Sequence, residues 1–347
     1  MTTKKKFNGK QFLVDYAIYL ILLALVVIIT VISPKFLSFS VFKDILMQSS
    51  VRIVVAMGCM FIIISGSADL SGGRMVGLSS LIAASLAQQA TASLKFWPGL
   101  PELPAIVPVL VSMAVGVCFG VFNGLVVSKL KVPAFLATLG SQMMIFGFSS
   151  LYFNKAPNNS QPLGGLAKGF RDLGGGSIAG IPIIVIIALT VMLLVWIMLT
   201  KTCLGKEIFA VGGNLEAARV SGINVFKIQM ITYSIAGACY GLAGALESAR
   251  TSSATSAYGQ GYELDAIASC IVGGCSVAGG VGTVGGVFAG VIIFNVISYG
   301  LTFIGISPYW QNVVKGLISI CLLYTSPLTA WAMRRRWRTC CGRSRRI

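Results

Sequence analysis

The chain has 347 residues, of which 56% are hydrophobic and 11% charged, with 27 Lys and Arg against 10 Asp and Glu, a formal charge of +17 and no histidine. Soluble domains carry roughly 25% charged residues, so this composition cannot cover a compact water-facing surface, and the mean hydropathy of +0.85 agrees. The lack of histidine excludes an HExxH zinc site, a Ser-His-Asp triad and a Cys-His dyad, and with them most hydrolytic chemistry.

Charges divide the chain into nine uncharged runs: 16–34, 53–68, 75–94, 103–128, 132–154, 173–200, 228–246, 266–314 and 316–333. Crossing about 30 Å of hydrocarbon takes about 20 helical residues. The run at 266–314 holds 49 residues, enough for two helices of about 20 with a glycine break near 279–286. The expected fold is therefore an all-α polytopic membrane protein of about ten transmembrane helices, broken ones included.

The first run follows Lys4, Lys5, Lys6 and Lys10 but has no small-x-small site before Pro34, and reads as an uncleaved anchor rather than a signal peptide. The second is short, and spans only if it extends back through Ile45, Leu46 and Met47 with Arg52 turned toward other helices or reaching outward. The stretches 95–104 and 155–180 read as external loops. Cys59, Cys118, Cys203, Cys239, Cys270, Cys275 and Cys321 lie in or beside apolar runs with no CxxC pair, as buried thiols do. With ten spans both termini share a side; the connections on that side carry eleven Lys or Arg before the tail, Arg74 among them, against seven opposite, Arg250 among them. Basic residues stay inside, so both termini are expected in the cytoplasm.

Residues 201–227 hold six charges, more than any other connection between spans. Here Asn214 is a natural helix N-cap, Glu216 meets the helix dipole in the first turn, Glu216 and Arg219 share a face at i and i+3, and Gly222 suits the stop. A helix of about two turns cannot stand alone, so it either packs on its own protein or docks another chain.

The string Glu216-Ala217-Ala218, with Gly222 after it, resembles the EAA motif by which ABC importer permeases contact their ATPase subunits, although its downstream part is missing. GKEIFAVGGN before it, SGSADLSGGRMVGLSSLIAASL (65–86), FNGLVVSKLKVPAFLATLG (122–140), GYELDAIASCIVGGCSVAGGVGTVGGV (261–287) and SPYWQNVVKGLI (307–318) are similar to the sugar permeases of the ribose/galactose branch, nearest its galactose/methyl-galactoside members. The resemblance implies one transmembrane permease domain over residues 1–326, with Gly205, Gly212, Gly213, Asn214, Glu216, Ala217, Ala218, Arg219 and Gly222 of the 201–227 loop coupling to an ATPase. It also implies partners: a second permease copy, a separate ATP-binding subunit that uses ATP and Mg, an extracytoplasmic sugar-binding protein and the lipid of a bacterial inner membrane. No cofactor of its own, no metal, no catalytic residue and no nucleic acid is expected for this chain, and no Gly-Lys pair in it meets the P-loop pattern.

A monosaccharide route needs amides, hydroxyls and carboxylates facing water. Asp69, Ser71, Asn123, Gln142, Glu263, Asp265 and Asn295 are the pathway candidates, with Glu247 nearby; for each the alternative is a cap or an interhelical hydrogen bond. Gly72, Gly73, Gly279, Gly280, Gly282, Gly285 and Gly286 read as hinge or packing positions, and the GxGxxG formed by Gly280, Gly282 and Gly285 lacks the βαβ setting of a dinucleotide site. Lys315 snorkels or pairs within the bundle. The rival function is an ion-coupled secondary transporter, which usually places ionisable groups at mid-membrane.

Residues 327–347 form an Arg-rich tail, with seven Arg within 334–347 against five before it, and the resemblance stops after Ile318. The segment from about Cys321 is expected to come from a frameshift or an assembly join, with an anionic-lipid clamp as the alternative.

Overall fold

The computed structural model describes residues 17–317 apart from 93, 308 and 315; Lys315, Cys321 and the Arg-rich tail lie outside the described residues. The described chain is helical except for loops and one hairpin of two-residue strands, β1 (Ser177–Ile178) and β2 (Ile181–Pro182). The helices in chain order are α1 (Ala17–Ile32), α2 (Phe39–Ile64), α3 (Gly72–Leu86), α4 (Ile106–Ser128), α5 (Ala134–Asn154), α6 (Lys168–Gly175), α7 (Ile183–Lys201), α8 (Cys203–Gly213), α9 (Leu215–Val220), α10 (Val225–Thr251), α11 (Tyr262–Val272) and α12 (Val284–Phe303). A 3-10 turn at Pro34–Leu37 leads into α2.

Five of these, α2, α4, α5, α7 and α12, are long and apolar enough to cross a membrane. Helix α3, with 15 residues, reaches only about 22 Å, and α11, with 11, about 16 Å. Helix α10 has the length, at 27 residues, but carries Gly, Ser and Tyr where α7 carries Leu, Ile and Val.

The chain divides into two compact units, residues 43–292 and residues 1–42 with 293–347. In the larger, α10 packs along α4 and α3, and α2 runs through the core, 83% of its apolar window buried against 22% for α7. That contrast makes α2 the interior element and leaves α5 and α7 on the outside of the unit. Two rows of glycine explain the α4–α10 seam: Gly116 and Gly120 on α4 meet Gly237 and Gly241 on α10 so closely that a methyl on Gly116 or Gly237 would overlap the other's carbonyl oxygen, and Gly124 continues the row against Met230 and Tyr233. Lipid offers no hydrophobic drive between helices, so this backbone approach is what van der Waals packing needs.

A second apolar cluster lies under the loops: Phe96, Leu163, Leu166, Phe170 and Ala249 pack together, with Phe96 stacked on Tyr152. Gln88 ties the loops down, accepting from Phe96 N at 2.7 Å and donating to Leu94 O and Gly164 O at 3.0 Å each. In the smaller unit Phe36 meets Phe303 edge-on at 5.5 Å, and the Gln311 amide donates to Thr302 Oγ1 and Ile306 O.

Several expectations need correction. The 266–314 run does not hold two helices of equal length: α11 stops at Val272 because Gly273 and Gly274 close it, with Gly274 at φ +86, and an irregular turn follows to residue 283. Residues 155–180 are not simply a loop, since α6 and β1 form there. Arg74 lies in the first turn of α3 and Arg250 in the last of α10, not in connections. Cys118 and Cys203 are exposed, whereas Cys59, Cys270 and Cys275 are buried as expected.

Candidate functional site

Helix α2 ends at Ile64, and residues 65–71 lead to α3 outside either helix, Gly66 taking φ +78. Asp69, 2% exposed, holds this break in place: its Oδ1 accepts from the Ser71 amide at 2.8 Å and the Ser71 hydroxyl at 2.6 Å. The Asn123 amide on α4 donates to Ser71 Oγ at 2.9 Å, and Leu70 N donates to Thr138 Oγ1 on α5 at 3.2 Å. The structure thus brings Asp69, Ser71 and Asn123 into one buried chain of hydrogen bonds joining the break to α4, and leaves Asn123 Oδ1 without a partner. Beside it Gly72 lies under the Tyr240 ring, and the Arg74 guanidinium covers the Phe146 ring at 4.4 Å.

Glu263 and Asp265 belong to a different constellation, at the start of α11. Asp265 forms an ion pair with Arg52 of α2 at 2.9 Å, and Arg52 lies over the Tyr262 ring. The Tyr262 hydroxyl donates to Glu247 Oε1 at 2.9 Å, and Glu247 takes two bonds from Arg250, at 2.9 and 3.2 Å. Arg52 is tolerated in a buried helix because Asp265 neutralises it. Glu263 is buried against Gly73, where a methyl would overlap its carboxylate, and Glu263 Oε2 has no hydrogen-bond partner. Gln142 is half-buried on α5 and joins neither group; Asn295 is fully buried in the smaller unit. Replacing Glu247 with Ala strips a buried pair of one partner, so a loss of about 3 kcal/mol is expected, read as a lower thermal midpoint in detergent, with Gln recovering part of it.

The charged loop 201–227 forms two helices. Helix α8 was not foreseen; Thr202 caps it, accepting from Gly205 N, a signal visible in the sequence but masked by the glycines of the segment. Asn214 ends α8 and starts α9, its N–H bonding Ala210 O and its side chain accepting from Ala217 N at 3.0 Å. The expected Glu216–Arg219 pair forms at 2.9 Å on an exposed face, and Gly222 takes φ +84 at the stop. Only Ala218 of α9 is buried, while Val220 is 90% exposed. Next to α9 is a groove of about 480 Å³ lined by Lys131, Leu215, Arg219, Ile223 and Phe226 among others. The short helix is thus capped at both ends and presents an ion pair and a bare valine on its outer face.

Glycines link the two regions. Gly212 lies against the Ile64 carbonyl, Gly279 against Gly66 and Gly212, and Gly280 against Gly213. Gly282 touches Cys275 and Ile64, Gly286 packs on Gly273 at the end of α11, and Gly285 faces open space. Of the expected hinge positions, then, six make close contacts and Gly285 does not. What sequence reading missed is the Arg52–Asp265 pair, α8 and the α4–α10 glycine rows, the last of which the four-residue spacing of Gly116, Gly120 and Gly124 could have revealed.

The family described as branched-chain amino acid transport system / permease component matches residues 41–323, and the chain belongs to this family of transport permeases. The galactose/methyl galactoside import permease protein of Haemophilus influenzae is 45% identical over 325 residues, 92% of this chain and 96% of its own length. The protein of the same name from Escherichia coli K12 is 43% identical over 320 residues, 90% of this chain and 95% of its own, and the ribose import permease protein of that strain 37% identical over 325 residues, 92% and 96%. No solved structure matches. The kinship read from ADLSGGR, YELDAIA and GVGTVGGV is therefore correct, and the chain is a polytopic permease rather than an enzyme.

Proposed function

We propose that this chain is the membrane-spanning subunit of an ATP-driven importer of a monosaccharide, galactose or methyl galactoside. The observation that carries the cargo is the identity over nine-tenths of the chain, 45% and 43% to the galactose/methyl galactoside permeases against 37% to the ribose permease. In this reading about ten spans cross a bacterial inner membrane with both termini in the cytoplasm, two copies enclose the pathway, and a binding protein delivers sugar from outside. Residues 201–227 face the cytoplasm and α9 docks the separate ATP-binding subunit, which uses ATP and Mg. Closure of that subunit moves α9 and opens one gate while shutting the other, with the break around Asp69, Ser71 and Asn123 lining the route. Coupling of this kind requires contacts that differ between two states.

The test is uptake of labelled galactose in cells depleted of ATP with the membrane potential intact. Uptake should stop. Persistent uptake would identify an ion-coupled transporter instead.

A further inference from the structure

Three stretches of bare backbone meet at one point, and none is adjacent to another in sequence: the end of α2 at Ile64–Gly66, the end of α8 at Gly212–Gly213, and the turn at Gly279–Gly280. The Ile64 carbonyl, left without an intrahelical partner where α2 stops, accepts from Gly280 N at 2.8 Å. A methyl on Gly212 would overlap that same carbonyl oxygen; one on Gly279 would come within 2.6 Å of Gly212 O and 2.8 Å of Gly66 Cα. We infer that this glycine junction is the joint through which displacement of α9 reaches the break at Asp69, and that Gly212 and Gly280 are its positioning residues.

Each neighbour of the joint is stiff. Asn214 is the single residue between α8 and α9 and caps both, so the two helices move together. The turn is closed on itself by Ser276 N to Val281 O at 3.0 Å and Gly279 N to Ser276 O at 2.9 Å. It is fixed to α11 by a paired closure, Cys275 N to Cys270 O at 2.9 Å and Gly274 N to Ile271 O at 3.0 Å, the pattern in which a left-handed residue ends a helix. On the α2 side only residues 67 and 68 separate the joint from Asp69, and Ser67 N still bonds back to Ile62 O. Backbones in direct contact, with no side chains between them to change rotamer, pass on a displacement rather than absorb it. Pushing Gly212 therefore shifts the break and α11 at once.

The inference rests on α9 being the docking element, and the experiment separates the two. In membrane vesicles containing the whole importer, Gly280→Ala should leave co-purification of the ATP-binding subunit and ATP hydrolysis within twofold while uptake falls by about tenfold or more; Gly147→Ala on α5, where a methyl meets nothing within 4 Å, should import normally. The second readout uses the unaltered chain. Cys275, 3% exposed, lies in the moving turn, so peptide mapping should find it labelled by N-ethylmaleimide several-fold faster during ATP turnover than without nucleotide. Normal uptake by Gly280→Ala alongside loss of import in Glu216→Lys would overturn the joint and leave docking standing. Equal labelling of Cys275 in both states would overturn it too. Retained import in Glu216→Lys would remove the docking reading instead.

Discussion

Gly237→Leu is expected to abolish folded protein in the membrane. Its side chain would enter the space filled by the Gly116 carbonyl and Gly120 Cα, and the close approach of Gly116 and Gly120 on one helix to Gly237 and Gly241 on the other leaves no slack on either side. Backbone cannot swing aside as a flexible side chain can. Overpacking typically costs 1–3 kcal/mol, and forcing apart the seam between α4 and α10 at several contacts places this variant at about 3 kcal/mol or more. The measurement is the yield of monodisperse protein in mild detergent together with its thermal midpoint. Gly140→Leu on α5, whose Cβ would meet nothing within 4 Å, should keep both near wild type. Equal behaviour of the two variants would show that close backbone approach is not what holds this seam.

Glu216→Lys, by contrast, is expected to spare the fold and stop import. Its ion pair with Arg219 is exposed, at 76% and 51% for the acid and base side chains, and pairs of that kind contribute 0.2–1 kcal/mol at most. The Asn214 cap and the Gly222 turn, which set the position of α9, are untouched. What changes is the surface offered to a partner: a lysine in the first turn opposes the helix dipole and puts two cations where the wild type shows a neutral pair. Uptake should fall about 5- to 150-fold, the range of a 1–3 kcal/mol coupling energy, with membrane levels intact. Gly222→Pro should do the same by another route, since proline cannot reach φ +84 and lacks the N–H that bonds Arg219 O. Normal uptake in both would reduce the loop to a connector.

Local chemistry proved readable where it acts over a few residues. Asn214, Glu216, Arg219 and Gly222 specify α9 through caps, dipole and turn, each effective within four residues. The Asp69–Ser71 interruption was equally visible, as polar and glycine residues inside an apolar stretch. What stayed hidden depends on partners far away in the chain. Arg52 and Asp265 are 213 positions apart, and a single sequence does not say which acid meets which base. The brevity of α11 escaped because hydropathy does not change at Gly273–Gly274, where only the backbone turns. Helix α8 escaped because Gly205, Gly212 and Gly213 look like loop formers, whereas two of them are glycine so that α8 can lie against neighbouring backbone.

The α4–α10 seam also sets a timetable for synthesis. Gly116 and Gly237 stand 121 positions apart in the sequence, and at about 5–20 residues per second a ribosome needs roughly 6–24 s to cover that distance. During that interval α4 is in the bilayer with its glycine face uncovered, and neither α5 nor α7 supplies the matching row. Helix-by-helix folding on emergence is thus closed to this protein. Its slowest step of biogenesis should be the arrival of α10, and a chain truncated before Val225 should be retained by the insertion machinery and degraded while one ending after Thr251 escapes.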